Sequence, residues 1–208
     1  MEDNKSPRLL ISFVMDNSCT VTPDRLQALT AAFSAFGAGV RENASLEWEW
    51  ITFDGFAPAV IKAFDSTEAA AVSPDRFPLL GRAAMTAVDR LSARVAALKE
   101  QGCTVHRPWL FLLSDGFSVD SSEEAALRLD SMERNGELLY LPFKMSQKLT
   151  TDRLQYLDRN KHMIEIRQEG GLEGFFAFVT RMVEQRATLP ADVGIKFAKP
   201  DFEGWAEL

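Results

Sequence analysis

Cysteine is scarce in this chain, with only Cys19 and Cys103, far apart in sequence. That excludes a disulfide framework. Histidine is equally rare, at two residues, so no Cys/His zinc cluster is available. No apolar run of about 18 residues occurs, and no membrane-spanning helix is expected. The polar, acidic start Met1-Glu2-Asp3-Asn4-Lys5-Ser6-Pro7 precedes an apolar stretch broken by Ser12 and closed by Asp16. That pattern does not suit a secretory signal, and a cytoplasmic protein is expected. No Gly-rich phosphate loop is present. Basic residues number 23 against 30 acidic ones, for a net charge of −7 and a pI near 5.0. Nucleic acid and anionic membrane, which are held by basic patches, are poor partners for such a chain.

Hydrophobic residues are plentiful, at 46% of 208. One domain with a sizeable core is the natural expectation. Strand and helix patterns alternate. Leu9 to Met15 reads as a buried strand. Thr22-Pro23-Asp24 opens a helix with Thr22 as N-cap, and its apolar face of Leu26, Leu29, Phe33 and Phe36 is expected to stop at Gly37. Strands follow at 46–53 and 59–64, the second an antiparallel edge strand because the link is short. A loop over 66–78 leads to a long helix from Leu79 to Gln101, faced by Leu80, Ala84, Val88, Leu91, Val95 and Leu98. Trp109 to Ser114 is nearly all apolar, as suits a strand covered on both sides. A helix opening at Ser121, a strand at 137–142, a short helix at 150–157, a strand at 162–166 and a helix at 172–186 complete the pattern. This is a doubly wound α/β arrangement with helices on both faces of the sheet. The domain is expected over 1–188, with 189–208 a tail that packs on the domain or on a partner.

The chemistry concentrates at two strand ends. Asp16, Ser18 and Thr20 lie at alternate positions of an extended segment, so their side chains project to one side. One carboxylate and two hydroxyls so placed suit a hard cation, and Mg²⁺ prefers oxygen ligands. Leu113-Ser114-Asp115-Gly116 repeats the device after the later apolar strand. If those strands are neighbours, Asp16 and Asp115 meet at one sheet edge.

The Asp16-x-Ser18-x-Thr20 loop and the Leu112-Leu113-Ser114-Asp115-Gly116 segment resemble those of von Willebrand factor A (VWA) domains. Ile51-Thr52-Phe53-Asp54, Leu80-Gly81 at a helix start and Gly204-Trp205 extend the likeness to nearly the whole chain. It is nearest to the compact bacterial TerY type, associated with tellurium resistance and stress response. The resemblance implies a mostly parallel six-stranded sheet in the order 3-2-1-4-5-6, with strand 3 antiparallel. It implies a metal-ion-dependent adhesion site in which Asp16, Ser18, Thr20 and Asp115 hold Mg²⁺. An acidic side chain of a protein partner then completes the metal shell. A kinase or phosphatase of the same system is the partner class implied. The alternative is a metal-independent scaffold working through its surface and tail. Pro78 favours it, for it stands where the family carries a ligating Thr, and proline has neither hydroxyl nor amide proton. Ser73, Asp75 or a water are the candidates to replace that ligand. Cys19 and Thr20 also depart from the Gly and Ser favoured there.

Catalysis is not expected. A nucleophile needs a base, and His106 lies at the opposite, amino end of the central strand, while His162 lies at a strand start. Cys19 beside two carboxylates is expected to stay an inert thiol. Trp48, Trp50, Phe53 and Phe56 read as packing residues of a strand and its edge. Glu123, Glu124, Arg128 and Asp130 read as a solvated helix face.

Overall fold

Leu9–Asp16, strand β1, is buried along its whole length because it runs through the centre of the sheet. Its alternation splits the core. Leu9, Ile11, Phe13 and Met15 face one layer of helices, and Leu10 and Val14 face the other. The computed structural model describes residues 7–17, 22–53, 58–64, 78–145, 154–157, 164–167, 170–190, 193–195 and 199–207. Helix α1 (Pro23–Gly39) follows, then strands β2 (Leu46–Phe53) and β3 (Pro58–Lys62). Helix α2 (Leu80–Glu100) leads to β4 (Trp109–Ser114), α3 (Glu123–Arg134) and β5 (Leu139–Lys144). The chain continues through α4 (Leu154–Leu157), β6 (Ile164–Ile166) and α5 (Gly171–Thr188). A 3₁₀ turn at Lys199–Phe202 and a short strand β7 (Ala206–Glu207) close the described chain.

The sheet order is β3-β2-β1-β4-β5-β6-β7, with β3 antiparallel to β2 and the strands from β2 through β6 parallel. The expected order of six is thus met, and the tail adds a seventh strand antiparallel to β6. Beneath α1 and α5 lies an aromatic core centred on Phe13, whose ring meets Phe33, Phe36, Trp48, Phe111, Phe175 and Phe176. The opposite layer is mainly aliphatic, with Leu80, Ala84, Val88, Leu91 and Leu98 of α2 in one cluster with Leu10, Leu110 and Leu112. No helix among the described residues is long and apolar enough to cross a membrane.

Two boundaries differ from the sequence expectation. Helix α1 runs past Gly37 to Gly39. A Cβ at Gly37 would sit 2.9 Å from Cζ2 of Trp48, so this glycine admits an indole ring and does not end the helix. Strand β5 lies at 139–144 instead of 137–142, with Pro142 inside it. The Leu139 amide donates to the Pro108 carbonyl, so odd-numbered residues of β5 face β4 and the missing N–H of Pro142 faces away. On that far side the described residues of β6 pair with Phe143 and Lys144, beyond the proline.

Candidate functional site at the carboxyl ends of β1 and β4

β1 and β4 are parallel neighbours, with Met15 opposite Leu113. The next residues, Asp16 and Ser114, therefore share a sheet face, and both are fully buried. The Ser114 hydroxyl donates to Asp16 Oδ2 at 3.0 Å and accepts the Gly116 amide at 3.0 Å. One side chain thus joins the two strand ends and shapes the turn after β4. Gly116 has a φ of +90°, which an L side chain rarely adopts, and this frees the backbone to double back. In that turn Asp115, 5% exposed, accepts the Phe117 amide on Oδ1 at 2.9 Å.

Arg25, in the first turn of α1, lies within electrostatic reach of Asp115. Burial pulls the Arg25 guanidinium below its ordinary value, and the Asp115 carboxylate pushes it back up. Nε and one terminal nitrogen of Arg25 are buried and make no hydrogen bond. The chain therefore brings its own cation to the acidic site. Sequence reasoning missed Arg25, although its place two residues after Pro23 put it at the same sheet edge.

It also missed the clasp on α2. That helix begins at Pro78-Leu79-Leu80 without a capping side chain of its own. Ser118 and Asp120, on the segment after Asp115, provide the caps instead. Ser118 Oγ accepts the Leu80 amide at 3.0 Å, and the Asp120 carboxylate accepts those of Gly81 at 3.2 Å and Arg82 at 2.8 Å. The Pro78 carbonyl in turn accepts the Val119 amide at 3.1 Å. Gly81 is needed for this approach, because a Cβ there would lie 2.3 Å from the Ser121 carbonyl oxygen. A helix start lacking Ser, Thr, Asp or Asn was the signal that a cap had to come from elsewhere.

Of the four expected metal ligands, Asp16 and Asp115 stand at adjoining strand ends, while Ser18 and Thr20 lie outside the described residues, as do Cys19, Asp54, Ser73, Asp75 and His162. Among the described residues no group of three or more His, Cys, Asp or Glu gathers to hold a metal. The donor set fits a divalent ion only in part. The two carboxylates suit Mg²⁺, but Asp16 is tied to Ser114, Asp115 has Arg25, and Pro78 offers a carbonyl already engaged. His106 is buried at the amino end of the sheet, remote from this edge in the fold.

No protein-family model matches the chain, and no curated protein matches it. Solved structures do. The VWA domain of SpRpn10 is 15% identical over 91% of this chain and 100% of its own, with a TM-score of 0.59. The TFIIH p34 N-terminal domain is 9% identical over 84% of this chain and 97% of its own, with a TM-score of 0.60. Proximal thread matrix protein 1 from the mussel byssus is 9% identical over 86% of this chain and 48% of its own, at 0.59. At these identities the likeness is one of fold, and the fold of this chain is VWA-like.

Proposed function

We propose that the chain is a protein-binding module, not an enzyme, and that it receives its partner at the loops beyond β1 and β4. The supporting observation is the Ser114–Asp16 hydrogen bond, which locks two acidic strand ends together at the point where the strand order reverses. In the metal-assisted form Asp16, Ser18, Thr20 and Asp115 would hold Mg²⁺, weakly, and the ion would receive an acidic side chain of the partner. The resemblance to TerY-type proteins suggests a stress-response or tellurium-resistance setting with a kinase or phosphatase as partner.

Arg25 favours a second form, a metal-independent scaffold. A guanidinium within electrostatic reach of Asp115 is a cation the chain itself supplies near the acidic strand ends. Melting curves with Mg²⁺ and with chelator separate the two. In the metal-assisted form Mg²⁺ raises the melting temperature of the native chain, and Asp115→Asn abolishes the rise. In the scaffold form the native chain does not respond. Arg25→Gln, which leaves the carboxylates unbalanced, then melts lower in chelator and gains stability from Mg²⁺.

A further inference from the structure

A helix cap needs one side chain, yet three successive residues of the loop beyond β4 all bond to the start of α2. Ser118 accepts the Leu80 amide and donates to Asp120 Oδ1, with the Pro78 carbonyl oxygen 3.3 Å away. The Val119 amide donates to that same carbonyl. Asp120 accepts the Gly81 amide on one oxygen and the Arg82 amide on the other. Ser118 is buried while Val119 beside it is 56% exposed, so the loop turns its polar side chains toward α2 and its apolar one outward. The Ser121 carbonyl fills the room over Gly81 that a side chain would need. The other end of the loop is also tied. Ser114 Oγ accepts the Gly116 amide while donating to Asp16, and Asp115 accepts the Phe117 amide.

We propose that residues 116–122 and the first turn of α2 form one cooperative unit, through which the acidic strand ends and α2 open or close together. Ser118 and Asp120 are then positioning residues, acting on Asp16 and Asp115 through the loop that Ser114 begins. A short loop held at both ends has little slack, so bonds lost at one end loosen the other. Farther along α2, Arg90 and Arg94 bond to Glu49 and Glu47 of β2, each at 2.7 Å. That part of the helix is held by a separate set of contacts, so the unit ends near the first turn. The coupling belongs to the loop itself and holds in either form of the proposed function.

Amide hydrogen exchange, read by NMR on the full chain, tests this with variants that cut opposite ends of the loop. Asp120→Ala frees the Gly81 and Arg82 amides directly, so the telling amides are Gly116 and Phe117, whose acceptors it leaves in place. Both are expected to exchange roughly tenfold faster. Ser114→Ala frees the Gly116 amide directly, and Leu80, Gly81 and Arg82 are expected to accelerate by a similar factor. The Cys103 amide, bonded to the Leu98 carbonyl at the far end of α2, is expected to keep its native rate in both. Asp120→Asn keeps the shape and one acceptor oxygen, and should give the same pattern more weakly. The proposal is overturned if either alanine variant accelerates only the amides whose acceptor it removes, or if Asp120→Asn leaves Gly116 and Phe117 at their native rates. It is equally overturned if Cys103 accelerates as much as the loop, since the bonds would then serve global stability alone.

Discussion

A carboxylate under a helix must keep its partners, and Glu49 shows what that demands. It lies on the α2 face of β2, fully buried, accepting Ser12 Oγ at 2.8 Å and Arg90 Nε at 2.7 Å. Burial pushes its carboxyl above the ordinary 4.5, while Arg90 and Ser12 pull it back. A raised value means that the folded chain holds the proton more tightly than the unfolded one. The group's stabilising contribution is then complete below its ordinary value of 4.5 and declines as pH rises through the folded value. Without Arg90 that decline steepens. Arg90→Gln is expected to cost about 2 kcal/mol at pH 8 and clearly less at pH 5, where Glu49 can take up a proton. Urea unfolding at the two pH values measures this, and equal losses would show that the Glu49 charge does not depend on Arg90. At this scale the sequence disclosed part of the site. Asp16 and Asp115 stand out because each ends an apolar strand. Arg25, Ser118 and Asp120 do not, because their significance lies in which other loop they reach, and no periodicity encodes that.

Elements were more legible than their junctions. The α2 face was readable from a spacing of three and four because that helix packs one stripe on the sheet. Gly37 and Pro142 misled for one reason: both obey local rules, and here a neighbour overrules them. An indole occupies the space beside the glycine, and the proline lies where the β5 backbone turns away from β4. Gly81 is the converse, a glycine within a helix whose role comes from a distant segment. Gly81→Ala drives a methyl group into the Ser121 carbonyl and loosens the clasp between α2 and the loop beyond β4. A loss of about 1–3 kcal/mol is expected, the range for overpacking. Gly39→Ala, with nothing within 4 Å, is the control and should be neutral or slightly stabilising. Chemical denaturation of the two variants checks the contrast, and similar stabilities would mean that the loop yields freely.

For the molecule as a whole, the sequence left open whether the tail meets the domain or a partner. No hydrophobic period distinguishes a two-residue strand from a linker. In the structure the Trp205 carbonyl accepts the Arg167 amide at 2.9 Å, and the ring covers Gly174, where a Cβ would stand 2.2 Å from Trp205 Cβ. The indole N–H donates to the Asp201 carbonyl at 2.9 Å. Trp205→Ala is expected to cost about 3–5 kcal/mol, as for a large aromatic removed from a core. It should also speed hydrogen exchange at the Arg167 amide. A loss below about 1 kcal/mol would mean that the tail is detached in solution. The Ser114–Asp16 bond bears on a different property, the order of events in folding. It joins residues 98 apart in sequence, across the two central strands. β1 can meet β2 after closing a loop of modest length, but it meets β4 only once the whole α1–α2 segment has been spanned. Closing the longer loop costs more chain entropy, though only logarithmically more. Non-local pairing of this kind is what slows a fold. The acidic edge therefore has no existence in any intermediate that lacks the central strand pair, and binding of the proposed partner there would require that pair to have formed.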